Sequence, residues 1–459
     1  MTEGSPMKLI LGFSVPLLFG YLFQQLYNLV DTMIVGQFLG VDALAAVGAT
    51  GSINFLIIGF CNGVCSGFAL PVAHRFGAKD YKTLRKLYAN SIWLSVIFAV
   101  VMTALTVIFC RPILTLMRTP ANIFEYSYQY ILIIFIGIPA TYLFNLTSGM
   151  IRALGNSRAP LIILVISSFL NVILDLVFIL NFNMGVAGAA AATVLSQVVS
   201  GIICVIYIRK KVEMLQLSKD EWRMEKREMA ELFNAGVPMG LQYSITAIGS
   251  VILQSAVNTL GSDAVASVTA ASKISMFIVC PFDSMGATMA TYGGQNAGGY
   301  KLDRLHKGLG SCIILGAVYS VIGLLIIAAF GPHLLKLFVS GSETGILADA
   351  QHFLLINGLF YFPLALVNIV RFMIQGMGFG FFAIIAGVLE MAARTLVGAV
   401  FVPIFGYNAA CFASPLAWIF ADCFLIPAYF VVWNRMKRHR EAYRPGVGSG
   451  WDCHGETCR

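Results

Sequence analysis

Twelve segments of this chain are apolar over about 20 residues or more, the length a helix needs to cross a bilayer. They lie near residues 8–38, 42–73, 87–112, 121–149, 158–181, 184–208, 228–260, 262–295, 308–330, 346–374, 380–404 and 406–433. Inside a hydrocarbon layer every backbone polar group must be satisfied within the structure, which leaves helices and closed barrels. The runs are too long for barrel strands and lack period-two alternation. Only 11% of the residues are charged, and the mean hydropathy is +0.82. A water-soluble domain carries roughly 25% charged residues. The chain therefore reads as an all-α polytopic membrane protein whose solvent is lipid. The long apolar segment from Leu9 onward, with no cleavage pattern, reads as a retained span rather than a signal peptide.

The twelve segments come in two sets of six. Residues 42–86 repeat as 263–307 at a fixed offset of 221: Asp42 meets Asp263, Ala45 meets Ala266, Ile53 meets Ile274, Gly77 meets Gly298, Leu84 meets Leu305 and Lys86 meets Lys307. Gly185 and Gly406 keep the same spacing. A duplicated, apolar chain is the usual plan of a transporter, with the substrate path between the repeats. The expected division is a first lobe over 1–208, a linker over 209–227, a second lobe over 228–435 and a tail over 436–459. Both lobes start on the same side, so their pseudo-two-fold axis runs along the membrane normal.

The net charge of +8 raises the question of nucleic acid, and its distribution answers it. Of the 30 Lys and Arg residues, 24 fall at the start of the chain, in the even-numbered loops and in the tail. The odd loops hold only Arg111, Arg118 and Lys336. The charge is an orientation signal: it puts both termini in the cytoplasm and makes the chain a multi-pass protein of the cell (inner) membrane. Eight of the ten cysteines, Cys61, Cys65, Cys110, Cys204, Cys280, Cys312, Cys411 and Cys423, lie in or beside apolar segments and read as small buried hydrophobes. Cys453, His454 and Cys458 form only a weak metal-ligand pattern in the tail.

Ionisable groups inside a bilayer are costly, about 2.5–3.5 kcal/mol on insertion scales, and mark function. The first lobe has two, Asp31 in the first span and Asp175 in the fifth. Asn171 is four residues from Asp175 and shares its helix face. Tyr130, Asn145 and Thr193 are polar groups of the fourth and sixth spans that could complete a site. Two carboxyls in a bundle favour taking up a proton, or they bind Na⁺ with amide oxygens; either event changes the local charge by one. The alternative is that each Asp bonds a neighbour and holds the bundle together.

The second lobe departs from this pattern. At the repeat offset Asp31 falls on Ile252 or Leu253, and Asp175 on Leu396. The seventh span offers Gln242, Gln254 and Asn258. Glu390 and Arg394, four apart, are expected to neutralise each other. Lys273, Asp283 and Asp422 remain, and Asp283, well inside its span, is the candidate contact for a cationic substrate. Gln242 and Lys273 are further substrate-path candidates. Met276, Met285 and Met289 read as helix packing or an adaptable wall. Pro16 and Pro238 sit early in the first span of each lobe and are candidate hinges.

In order along the chain, Ser14-Val15-Pro16, Val30-Asp31 with Gly36 and Gly40, Arg75-Phe76-Gly77-Ala78, Arg152 to Pro160 (RALGNSRAP), Gly185 to Ala190 (GVAGAA), Gly236-Val237-Pro238 and Gly294-Gln295-Asn296 resemble the multidrug and toxic compound extrusion (MATE) family. The resemblance covers essentially the whole chain. It implies twelve helices in two lobes around a V-shaped cavity, and efflux driven by a H⁺ or Na⁺ gradient with no other cofactor. It also implies that Asp31, Tyr130, Asn145, Asn171, Asp175 and Thr193 match the family's first-lobe polar cluster. Family substrates are amphipathic organic cations, including dyes and some antibiotics, which makes a small drug-like molecule and the bilayer the expected partners of a functional monomer. Some relatives carry an acid in the seventh span, and this chain does not. The alternative function is a lipid or polysaccharide-precursor flippase, against which the scarcity of intramembrane cations (Lys273, Arg371, Arg394) argues. No HExxH, Ser-His-Asp or P-loop pattern supports an enzyme or direct use of ATP.

Overall fold

A computed structural model describes residues 1–339 and 343–442, the last four as backbone only. Cys453, His454 and Cys458 lie outside the described residues. The elements are α1 (Pro6–Leu39), α2 (Val41–Gly77), α3 (Tyr81–Ile108), α4 (Cys110–Leu116), α5 (Ala121–Ile136), α6 (Ile138–Ala153), α7 (Arg158–Leu176), α8 (Val186–Lys211), α9 (Lys226–Asn258), α10 (Ser262–Gly298), α11 (Leu302–Leu335), α12 (Thr344–Leu359), α13 (Tyr361–Gly376), α14 (Gly380–Leu396), α15 (Val402–Phe405) and α16 (Tyr407–Ala442). Among the described residues ten helices are long and apolar enough to span a bilayer, counting α7 with the π-helical segment that follows it and α14 with its π segment and α15. Two bent pairs, α5–α6 and α12–α13, make twelve if each is one span. The chain is an all-helical, multi-pass membrane protein, and residues such as Ile108, Leu325 and Phe330 expose their side chains to the surroundings as lipid-facing groups do.

The internal repeat is written into the backbone. The breaks fall at Gly137, between α5 and α6, and at Phe360, between α12 and α13, with bends of 46° and 51°. Pro139 and Pro363 follow these breaks, and a proline cannot donate to the carbonyl four residues earlier. By contrast, α1 and α9 run unbroken through Pro16 and Pro238. The fifth and eleventh spans each carry a π segment near their end, Val177–Asn181 and Val397–Phe401, the second followed by α15. Gly185 and Gly406 close both with positive φ, +60° and +61°.

Each half has its own apolar core. One is built around Phe68, Leu87, Ile131, Phe135 and Tyr142, the other around Phe282, Tyr292, Tyr361 and Ile369. Met285 and Met289 pack in the second core, whereas Met276 is exposed. Of the eight cysteines read as buried, seven are; Cys423 is exposed on the apolar outer surface of α16. A small cluster of Leu70, Met239, Ala290, Phe372 and Tyr243 joins the halves.

The halves meet along α2–α9 and α1–α10, with α2 also against α10. Glycine makes the α2–α9 seam possible. A Cβ on Gly63 would stand 2.7 Å from the Met239 carbonyl oxygen, and one on Gly67 2.5 Å from Cα of Gly236, so the two backbones touch. The central helices are closed at the end that carries the basic loops. No residue from 56 to 77 of α2 is exposed, and from 284 to 298 of α10 only Ala287 is less than fully buried. Toward the other end both helices show exposed residues, so the cleft between the halves opens away from the basic face.

The 209–227 segment is folded. It holds two 3-10 turns, Glu213–Leu215 and Lys219–Trp222, the second with a capping box between Ser218 and Glu221. It straps onto α3: Arg85 Nε donates to Glu221 at 2.6 Å, Lys86 pairs with Glu225 at 2.8 Å and Trp93 Nε1 donates to the Trp222 carbonyl at 3.0 Å.

Candidate functional site

A stripe of polar groups runs down α1 at helical spacing: Gln24, Tyr27 and Asp31. It faces α7, where Asn171 and Asp175 lie one turn apart and are buried. Asp175 sits on the last α-helical turn before the π segment Val177–Asn181, and such bulges are often found at functional positions. The carboxyl groups of Asp31 and Asp175 meet within hydrogen-bonding reach.

The pair is acceptor-rich. Asp31 Oδ1, both oxygens of Asp175 and Asn171 Oδ1 are buried with no donor. Two ionised carboxylates cannot bond each other, because each only accepts. The contact becomes a hydrogen bond once one shared proton is present. The charged and polar groups acting on the two acids are each other, Tyr27 and Tyr130, with no basic side chain among them. Two carboxyls with several unpartnered oxygens, and no lysine or arginine acting on them among the described residues, have the donor set that a proton or a metal cation can bind.

The sequence-based cluster is assembled in part. Tyr130 is buried within electrostatic range of both acids. Asn171 Nδ2 donates to Thr193 Oγ1 at 3.5 Å, and Thr193 in turn donates to the Ala189 carbonyl at 3.1 Å, which joins α8 to the site. Asn145 Nδ2 instead donates to the Thr141 carbonyl of its own helix at 2.9 Å, and among the described contacts none ties it to the acids. Tyr27 and Gln24 are members that the sequence reading passed over; their spacing of four and seven residues before Asp31 was the available signal.

In the second half the equivalent helices carry a different constellation. Glu390 on α14 pairs with Arg371 on α13 and, at 3.6 Å, with Arg394 one turn away. Asp422 on α16 lies in electrostatic range of Arg371. All four are buried. The expected Glu390–Arg394 pair is thus half of a larger cluster with two positive and two negative members.

The substrate-path candidates separate. Asp283 is exposed on α10, where Tyr21 of the first half and Tyr243 of the second both lie in its electrostatic range, so it faces the cleft between the halves. Gln242 is buried and holds an amide–amide contact with Gln375 of α13. Lys273 is three helical turns from Asp283, on a groove of about 710 Å³ at the α9–α10 turn, lined also by Asn258, Thr269 and Phe338.

Comparison with known proteins matches this architecture. A model of the MatE family fits the chain twice, over residues 16–177 and 238–403, once in each half. The probable multidrug resistance protein YoeA of Bacillus subtilis is 30% identical over 339 residues, covering 72% of this chain and 73% of that protein. The multidrug export protein MepA of Staphylococcus aureus is 22% identical over 408 residues, covering 87% and 89%. Among solved structures, a MATE protein in complex with MaL6 superposes with a TM-score of 0.87 at 24% identity, over 96% of this chain and 98% of that one. An outward-facing multidrug resistance MATE family transporter gives the same score at 23% identity, over 95% and 98%. With the family model matching both halves and the whole fold shared, this chain belongs to the MatE family of transporters.

Proposed function

We propose that this protein is a secondary active multidrug efflux transporter that exchanges H⁺ or Na⁺ for amphipathic organic cations. The observation that carries this reading is the buried Asp31–Asp175 pair, which has unpartnered oxygens and no cation of its own. The excess of lysine and arginine in the even loops supports an orientation with the basic face and both termini in the cytoplasm. The halves then act as two lobes joined through 209–227, with the cleft open to the outside.

In this reading the substrate binds while the acids are ionised. Asp283 offers it a carboxylate and Tyr21 and Tyr243 offer aromatic faces, a combination suited to an organic cation. Uptake of H⁺ or Na⁺ from outside then neutralises one charge of the acid pair. One charge crossing 100 mV is worth ~2.3 kcal/mol, enough to bias a two-state rearrangement of α1 and α7 that weakens substrate binding. Tyr130, Asn171 and Thr193 support the pair, Asn145 stands apart from it, and Pro16 and Pro238 are places where α1 and α9 can bend.

The Arg371–Glu390–Arg394–Asp422 cluster speaks against the flippase reading, since it sets two carboxyls against the two guanidinium groups within the second half rather than leaving a net positive charge for a phosphate. The test is ethidium efflux from proteoliposomes under imposed pH and Na⁺ gradients. Asp31→Asn and Asp175→Asn are expected to lose gradient-driven efflux. Full efflux in both variants would sink the coupling role, and lipid scrambling without dye transport would favour the flippase.

A further inference from the structure

At the basic end the two halves are fastened by a contact that obeys the internal repeat. His74 of α2 bonds through Nε2 to the carbonyl of Gly376, the last residue of α13. The carbonyl only accepts, so Nε2 carries the hydrogen. Gln295 of α10 donates through Nε2 to the carbonyl of Ala153, the last residue of α6, at 2.7 Å. His74 and Gln295 stand 221 residues apart, the repeat offset, and Ala153 and Gly376 stand 223 apart. Each half thus reaches the end of the other half's bent span with the equivalent side chain.

The backbone beneath is equally reciprocal. A Cβ on Gly77 would collide with the carbonyl of Gln295, and one on Gly298 with the carbonyl of His74. The last carbonyls of a helix have no partner within it. Here glycines at positive φ, Gly155 at +89° and Gly378 at +94°, turn the chain just beyond α6 and α13. The two helix ends then find their donors across the interface. Parting the halves at this end exposes two carbonyls and two side chains that need water in exchange, so the contact holds only when that end is shut.

We propose that His74 and Gln295 are the paired bolts of a gate at the basic end, each fastened to the terminal helical carbonyl of the opposite half, and that this gate parts in every transport cycle. The proposal rests on the efflux reading only for which way the cargo passes.

One test uses Ala287→Cys as a reporter, one turn from Asp283 toward the gate, in full-length protein whose native cysteines are replaced. A membrane-impermeant maleimide is applied to the basic side of proteoliposomes. His74→Ala and Gln295→Ala each raise the labelling rate about two- to tenfold, the shift expected for one net hydrogen bond, and the double variant raises it further. His74→Gln, which copies the other bolt's amide, stays within about twofold of the parent. Unchanged labelling in the double variant overturns the proposal. A second test does not depend on tolerating a lost bolt. A Cβ on Gly294 would stand 3.1 Å from Cβ of Ala73, its equivalent at the same offset, near the Cβ–Cβ span of about 3.8 Å in a disulfide. Oxidised Ala73→Cys/Gly294→Cys protein loses ethidium transport at least tenfold and regains it with reductant. Full transport by the crosslinked protein overturns the gate. The labelling test involves no dye, so a protein that gates but moves no dye counts against the proposed cargo alone.

Discussion

The two halves share a helical plan and divide their buried charge in opposite ways. The first half buries Asp31 and Asp175 together with no cation among the groups that act on them. The second buries Arg371, Glu390, Arg394 and Asp422, two charges of each sign. The depths differ too. At the repeat offset Asp175 aligns with Leu396, six residues beyond Glu390, roughly 9 Å at 1.5 Å per residue. A site that brings its own counter-charges has no need of an external ion, whereas one that lacks them stays unsatisfied until an ion arrives. The two halves share a scaffold, and the divergence of a few side chains leaves the uncompensated acids in one of them.

The largest effect expected from this contrast is on stability. Glu390→Gln takes the carboxylate from Arg394 and leaves Arg371 with Asp422 in range, and removing one member of a buried ion cluster costs about 3–5 kcal/mol. The thermal midpoint in detergent and the folded yield should both fall. Asp175→Asn removes a like-charge neighbour and leaves the fold intact, while gradient-driven efflux falls at least about tenfold, the effect of 1.4 kcal/mol. Proteoliposome efflux and a melting curve on the same preparations separate the two outcomes. The comparison breaks if Asp175→Asn unfolds as readily as Glu390→Gln, because the acid pair would then be a structural element.

Next in size is Asp283→Asn. Its carboxylate faces the cleft, and its loss removes one charge contact with a cationic dye, about 1–2 kcal/mol at a partly solvated site, or a roughly 5- to 30-fold rise in apparent KM. The maximal rate should change little, since the proposed coupling pair lies in the other half. A drop in maximal rate with unchanged KM would place Asp283 in the coupling machinery and erase the division of labour between the halves.

How much of this was legible in the sequence follows from what each feature depends on. The spans were readable because twenty apolar residues in a row have few fates, and the acid pair because a carboxyl in such a run is costly. Pro16 and Pro238 leave α1 and α9 unbroken in this conformation, while Pro139 and Pro363, which drew no notice in the sequence, follow the two bends. A proline's cost shows in sequence, but whether neighbouring helices absorb it depends on packing. Arg371 and Glu390 sit 19 residues apart on different helices, so no local spacing could join them. His74–Gly376 and Gln295–Ala153 are longer-range still, and although the repeat offset aligns the two bolts it does not show what either one touches. Tyr27 and Gln24 were the site residues within reach, four and seven residues before Asp31.

The smallest effect expected lies outside the bilayer, where charges of the same kinds meet in water. Lys86 pairs with Glu225 at 2.8 Å, both side chains about one-third exposed. The hydrogen-bonded Lys86 ammonium holds the Glu225 carboxyl below its ordinary range. A lowered carboxyl stabilises the fold above its unfolded-state range, and that contribution is lost as pH falls and the group protonates. Lys86→Ala should therefore cost at most about 1 kcal/mol near neutral pH, and less in ~1 M salt, which screens exposed pairs. Melting curves of Lys86→Ala and Glu390→Gln across salt concentration put the two environments on one scale. The membrane-buried cluster should be indifferent to salt because ions do not reach it. If Lys86→Ala proved as damaging as Glu390→Gln, burial would not be what makes the second half's charges costly to separate, and the contrast between the halves would need another cause.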